Sequence, residues 1–253
     1  MTNLVICAAQ YCSVAGDINI NIDRHLHTMR RAVEHGVQFL LFPELSLTGY
    51  EPFLARELAQ TPDAECLQPL RELASQSGMT TVVGLPLRQP GSEIILIGAL
   101  VMAADGSQSV YTKQHLHPGE EAVFSGGEGG ALVDIGAERI ALSVCADFTH
   151  AGHAQAAAQV GASLYASSVL ISEEGYARDA ELLQSYACAH SMGVLMANHG
   201  GPSGGWACAG RSAFWSPGGE RVVSATGTGD CLVIARRHEG VWEGEVVERP
   251  TLS

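Results

Sequence analysis

The sequence predicts an α/β domain with mixed sheets, and three observations carry that reading. Apolar runs of strand length alternate with helix-period segments through roughly the first two hundred residues. Turn pairs such as Asp105-Gly106 join neighbouring apolar runs into hairpins. Beyond Ala207 the helical period disappears while strand-like runs continue between Gly-rich turns. An all-parallel sheet leaves no place for such hairpins, so the strands must pair both ways.

Taken in order, Leu4 to Ala9 is a short apolar run. It leads into Asn19 to His35, where Ile20, Ile22, Leu26, Met29 and Val33 share roughly one helical face. Val37 to Phe42 reads as a buried strand, Leu67 to Ser77 as a helix stopped by Gly78, and Thr80 to Leu87 as the next strand. Glu93 to Ala104 and Ser107 to Thr112 form the hairpin around Asp105-Gly106, and Ala131 to Ile135 with Arg139 to Val144 flank Gly136-Ala137. The Ala-rich stretch Gly152 to Val160 predicts a helix, Ser163 to Leu170 a strand, Ala177 to Met192 a helix and Val194 to Asn198 a strand. Beyond Ala207, strand-like runs such as Arg221 to Ala225 and Cys231 to Ala235 are set off by Pro217-Gly218-Gly219 and Gly227-Thr228-Gly229. No linker, charge run or short repeat interrupts the series, so residues 1–253 read as a single domain.

Composition narrows the function. Apolar residues make up 46% and charged residues 16%, the balance of a globular chain with a sizeable core. Lys and Arg total 14 against 27 acidic residues, a formal charge of −13, which argues against nucleic acid and against anionic lipid as partners. The N-terminal segment from Met1 to Cys7 lacks the basic head and cleavage site of a signal peptide, and the apolar run 94–104 is well short of the roughly 20 residues a membrane span needs. The seven cysteines (7, 12, 66, 145, 188, 208, 231) include no C-x-x-C pair, which fits reduced thiols in the cytoplasm rather than disulfides or zinc. The ten histidines show no H-x-x-x-H pair, and no ligand cluster calls for a metal or an organic cofactor.

Three residues draw attention as chemistry. Cys145 follows the apolar strand Arg139 to Val144 just before a helical segment, where a thiol stands at the carboxyl end of a strand and backbone N–H groups, beginning with that of Ala146, can face an oxyanion. Glu44 ends the apolar run Phe39-Leu40-Leu41-Phe42-Pro43, where burial would disfavour its charged form and suit it to act as a base near neutral pH. Lys113, in Tyr111-Thr112-Lys113-Gln114-His115-Leu116, can supply a fixed cation. Each also has a plain structural reading: a buried core cysteine, a solvated acid past a proline, a lysine on a strand's wet face. Asn198 to Trp206, Gly-rich and without a G-K-[ST] ending, is either a surface loop or a substrate-contacting one.

Together these segments resemble the nitrilase (carbon–nitrogen hydrolase) superfamily. The resemblance rests on Phe42-Pro43-Glu44, on Tyr111-x-Lys113-x-His115-Leu116 with Glu121-x-x-Phe124-x-x-Gly127, and on Cys145-x-Asp147, in that order. Gly161-Ala162-Ser163 and Ala209-Gly210-Arg211-Ser212 with Pro217-x-Gly219 extend it over nearly the whole chain. It implies a four-layer α-β-β-α sandwich that commonly forms homodimers, with Glu44 as base, Lys113 as oxyanion partner and Cys145 as nucleophile. A second glutamate of the family maps to Glu121 by its E-x-x-F spacing to Phe124, with its neighbour Glu120 as the alternative. Ala146, Ser167 and Tyr50 are the positions expected to meet substrate.

Cys145-Ala146-Asp147 resembles the amidase, ω-amidase and carbamoylase branches rather than the Cys-Trp-Glu of true nitrilases, which implies a small amide or N-carbamoyl substrate and no cofactor. His150-Ala151-Gly152 stands where many relatives carry an aromatic-Pro-Glu tripeptide, and Ser167 where an Asn is common. Two other readings share the same residues: a non-catalytic binding or regulatory subunit, and an acyltransferase working through the same acyl-enzyme.

Overall fold

The computed structural model describes residues 3–89 and 91–248. Met1 and Thr2, at the start of the segment that lacks a signal-peptide pattern, lie outside the described residues, as do the last five positions of the expected domain. Among the described residues there are thirteen strands: β1 Leu4–Gln10, β2 Phe39–Leu41, β3 Thr80–Arg88, β4 Ile95–Met102, β5 Gln108–Thr112, β6 Val133–Ile135, β7 Glu138–Val144, β8 Leu164–Val169, β9 Gly193–Asn198, β10 Ala213–Trp215, β11 Arg221–Ser224, β12 Cys231–His238 and β13 Val241–Glu248. They form a seven-stranded sheet in the order β13-β12-β1-β2-β3-β4-β5 and a six-stranded sheet in the order β11-β10-β9-β8-β7-β6. Each has a parallel centre (β1-β2-β3; β7-β8-β9) and antiparallel flanks, which is the mixture the hairpin signals predicted.

The helices are α1 Ile18–Glu34, α2 Ala55–Leu58, α3 Gln68–Ser77, α4 Ala151–Gln159 and α5 Tyr176–His190. Asp17 caps α1 through its Oδ1, which accepts from Ile20 N at 3.0 Å, and α3 stops on Gly78 at φ 67°, a conformation glycine takes without a Cβ clash. Helices α1 and α3 cover the outer face of the first sheet through Ile22, Met29, Ala32, Leu70 and Ala74. On the second sheet α4 and α5 pack with Ala154, Ala157, Leu183 and Ala187 against Tyr165 and Val194. Between the sheets lies a dry core of Ile6, Leu41, Val82, Leu142, Ala166 and Leu195. The result is an α-β-β-α sandwich, the fold the family resemblance implied.

Two strands escaped the sequence reading. β10 has three residues, too few to show a period, and β13 (VWEGEVVE) lies at a sheet edge with both faces largely wet, so it carries no buried stripe. Among the described residues no helix is long and apolar enough to cross a membrane.

One close contact places the end of β2. A Cβ on Gly84 would lie 2.3 Å from Leu45 N and 2.6 Å from Pro43 O, so the turn that follows β2 is pressed onto β3. Gly84→Ala is therefore expected to destabilise the protein by about 1–3 kcal/mol through overpacking. Thermal melting checks this, and activity falls with it because Glu44 rides on the displaced turn.

Candidate active site

The parallel strands of both sheets end at the same side of the sandwich, and the functional side chains stand on the turns just beyond. Glu44 lies on the turn after β2, tied by Ser46 N donating to Pro43 O at 3.2 Å and Leu47 N donating to Gly84 O at 2.9 Å. Its backbone oxygen accepts from His199 Nε2 at 2.7 Å. A carbonyl can only accept, so His199 carries its proton on Nε2. Burial lowers that ring to about 4 and keeps it neutral. From the other sheet, Ser168 Oγ donates to Phe42 O at 2.7 Å and fixes the approach to the same turn.

Lys113 follows β5 and is fully buried. Its Nζ donates to Glu44 Oε1 at 2.7 Å and to Glu120 Oε1 at 2.9 Å. Burial alone would lower the ammonium, but the carboxylates of Glu44 and Glu120 and the sulfur of Cys145 outweigh it and hold Lys113 charged. Glu44 Oε2 is buried without a hydrogen-bond partner. Its carboxyl is pushed up to about 7, chiefly by burial, against the opposing pull of Lys113.

The structure sets the two adjacent acids apart by direction. Gly119, at φ 99°, leads into a short 3-10 turn over Glu120–Ala122. Consecutive residues of that turn point in different directions: Glu120 goes inward and is buried, while Glu121 is exposed and only accepts from Gly119 N at 2.7 Å. Glu120 Oε1 accepts from Lys113 and from the Tyr50 hydroxyl at 2.8 Å, and its Oε2 accepts from His117 N at 2.7 Å.

Cys145 stands directly beyond β7 at φ 45°, in the left-handed region that a side chain enters at a cost of about 1–3 kcal/mol. Its Sγ points toward Leu170 O at 3.7 Å. Burial first, and then the negative charge of Glu44, push the thiol well above its ordinary value, with Lys113 opposing. The resting group is thus a thiol rather than a thiolate, with the Glu44 carboxyl beside it.

Glu44, Glu120, Tyr50, Cys145 and Ala146 all line one cavity of about 670 Å³, with Trp206 among its walls. Ser167, expected to meet substrate, does not. Along β8 the even positions Leu164 and Ala166 face the other sheet, whereas Tyr165, Ser167 and Val169 face the helices α4 and α5. Ser167 is consequently buried on the far side, its hydroxyl 2.9 Å from Ser143 Oγ on the neighbouring strand. The segment Asn198 to Trp206 is no free surface loop. Ser203 Oγ accepts from Tyr50 N at 2.8 Å, and a Cβ on Gly204 would fall 2.2 Å from Tyr50 O. Asn198 exchanges hydrogen bonds with Ile171, accepting from its N at 2.8 Å and donating to its O at 3.0 Å, which shapes the wall next to Leu170.

Sequence reasoning left Asn198 and His199 without individual roles, although an Asn-His pair closing a buried strand was visible as a signal. Among the described residues no group of three or more His, Cys, Asp or Glu side chains is arranged to hold a metal ion. What the site can do follows from its parts: a shielded thiol, a base of near-neutral affinity, and a charged donor beside both can attack a carbonyl carbon and hold the resulting oxyanion.

The sequence profile described as "Carbon-nitrogen hydrolase" matches residues 6–241. The structure resembles that of a double mutant of the amidase from Nesterenkonia sp. AN1 in complex with acrylamide, with a TM-score of 0.85 and 26% identity over 94% of this chain and 91% of that one. By sequence it is 26% identical over 172 residues to a glutamine-dependent NAD(+) synthetase of Thermotoga maritima, and 27% identical over 152 residues to an (R)-stereoselective amidase of Pseudomonas sp.. Those matches take in 65% and 59% of this chain but only 29% and 54% of the two relatives. With the profile running through both sheets and across Glu44, Lys113 and Cys145, the chain belongs to the carbon–nitrogen hydrolase family.

Proposed function

We propose that the protein hydrolyses the C–N bond of a small amide through a thioester on Cys145. The observation that carries this is the convergence on one cavity of the Cys145 thiol with Glu44 and Glu120, two buried carboxylates that Lys113 bridges from behind. As the amide carbonyl arrives, Glu44 takes the thiol proton while the sulfur attacks the carbonyl carbon. The π pair moves onto oxygen, held there by the Lys113 ammonium and the Ala146 N–H. Collapse breaks the C–N bond, Glu44 returns the proton to the leaving nitrogen, and the acyl thioester remains. Water then attacks the thioester with Glu44 as base again, releasing a carboxylic acid and the thiol.

Glu120 is the second glutamate in this scheme, keeping Lys113 charged and fixed. Tyr50, whose hydroxyl is held on Glu120, forms the wall against which the amide nitrogen rests. Among ω-amides, N-carbamoyl compounds and aliphatic amides we favour the last, a choice supported by the acrylamide complex of the Nesterenkonia amidase. Residues 1–253 act as one domain in this reading, which is supported by an inter-sheet core drawn from strands along the whole described chain.

Ammonia release from aliphatic amides, ω-amides, carbamoyl amino acids and nitriles, measured for wild type and Cys145→Ala, tests the proposal. Release from aliphatic amides is expected, reduced at least about 10⁴-fold in the variant, as nucleophile removal does in other acyl-enzyme hydrolases. No Cys145-dependent release from any class would overturn it in favour of a binding subunit. Conversion of amide to a new amide only when an amine acceptor is added would replace hydrolysis with acyl transfer.

A further inference from the structure

Lys113 and Cys145 reach the site from different sheets, and one side chain touches the backbone beside both. Asp147 is fully buried in the turn that follows Cys145. Its Oδ2 accepts from Val144 N at 3.0 Å, the residue before the nucleophile, and from the Tyr111 hydroxyl at 2.7 Å. Its Oδ1 accepts from Gln114 N at 3.0 Å, the residue after Lys113, and from His115 N at 2.8 Å and His115 Nδ1 at 3.1 Å. We propose that Asp147 is a positioning residue: a carboxylate clasp that sets the Lys113 ammonium and the Cys145 thiol in register across the gap between the two sheets.

The donors leave the clasp little freedom. A carboxylate offers about four lone-pair directions, and here they meet five donors, none of which can accept in return from an ionised acid. Behind Tyr111 the order continues in one direction. The Tyr111 hydroxyl donates to Asp147, so its oxygen accepts from His153 Nε2 at 2.8 Å, and His153 Nδ1 in turn accepts from the Tyr165 hydroxyl at 2.8 Å. Burial lowers His153, which keeps that ring neutral and the order intact. His115 stacks on His150, with ring centroids 3.8 Å apart, and His150 lines the cavity. The clasp thus reaches from the oxyanion side of the site to its wall without touching the reacting atoms.

The proposal rests on Cys145 being the nucleophile and Glu44 its base, so the test needs a readout that does not depend on finding the substrate. That readout is the pH dependence of Cys145 alkylation by iodoacetamide, followed by peptide mass spectrometry to separate it from the other thiols. The groups facing Glu44 are Lys113, Glu120, Cys145, Tyr50 and Cys208, with His199 on its backbone. Of these, Lys113 pulls the Glu44 carboxyl down most strongly, with a smaller pull from the Cys145 thiol. If the clasp loosens, Lys113 withdraws and the acid limb of Cys145 alkylation moves to higher pH.

Asp147→Asn presents an NH₂ to one of the two donor groups, whichever way the amide turns, and opens the clasp on that side. The expected result is a loss of about 10²-fold in Cys145 alkylation at neutral pH, the scale that misplacement by an ångström commonly causes, together with the upward shift of the limb. Tyr111→Phe keeps the carboxylate and removes a single donor, so it should show a smaller shift in the same direction. A merely structural role would lower the folded fraction and leave the limb of the folded molecules where it was. An unmoved limb in Tyr111→Phe, or in folded Asp147→Asn, overturns the clasp. A wild-type Cys145 that alkylates no faster than the other thiols and shows no limb near neutral pH would instead overturn the nucleophile–base assignment beneath it.

Discussion

Glu44→Gln is expected to lower kcat/KM by about 10³-fold, within the range that removal of a general base produces, and to abolish the acid limb of the pH profile. The wild-type enzyme should gain activity as pH rises through about 7, the value to which burial lifts the Glu44 carboxyl, because only its ionised form can accept the thiol proton. Below that midpoint kcat/KM should fall about tenfold per pH unit, as for any single required base. The glutamine keeps the shape and still accepts from Lys113 through its oxygen, so the loss reports on proton transfer rather than on collapse of the pocket. A profile measured from pH 5 to 9 on both proteins checks it. A variant that retained a limb near 7 would show that another group supplies the base.

Lys113→Met has a larger effect on the fold. Lys113 bridges two buried carboxylates at 2.7 and 2.9 Å, and removing the shared partner of a buried ion cluster commonly costs about 3–5 kcal/mol. In a chain of this size that is a fall in Tm on the order of 10 °C. The pH dependence should run opposite to ordinary acid denaturation. Without Lys113, burial and the charge of Glu120 are left to raise the Glu44 carboxyl, so the folded Glu44 lies higher than the present value of about 7. A group raised above its unfolded value of about 4.3 contributes stability that is full below that value and is lost as pH rises through the folded one. The variant should therefore melt higher at pH 5 than at pH 8, which calorimetry at the two values checks. Activity should be lost at both, since the oxyanion partner is gone.

The fold and the skeleton of the site were legible for simple reasons. Strands buried on both faces leave apolar runs, and a functional group standing just past such a run is marked by the break in polarity, as Glu44 and Cys145 are. The structure brings those two together with Lys113. What remained hidden turns on direction rather than on composition. Glu120 and Glu121 are chemically the same, and the left-handed backbone at Gly119 decides which points inward. Ser167 lies in the right strand at the wrong parity, and parity cannot be read from a strand with no wet face. His199 was hidden because a lone histidine gives no period, and its role is to hold a backbone oxygen rather than a ligand.

The Ser168 bond to Phe42 O has a wider consequence. Glu44, Lys113 and Glu120 belong to the part of the chain that builds the first sheet, and Cys145, Ala146 and Leu170 to the part that builds the second. Reactivity is therefore a property of a seam, and neither side holds a working set by itself. If the chain were cut in the turn region between β5 and β6, each fragment would carry half of the chemistry, and turnover would report their reassembly.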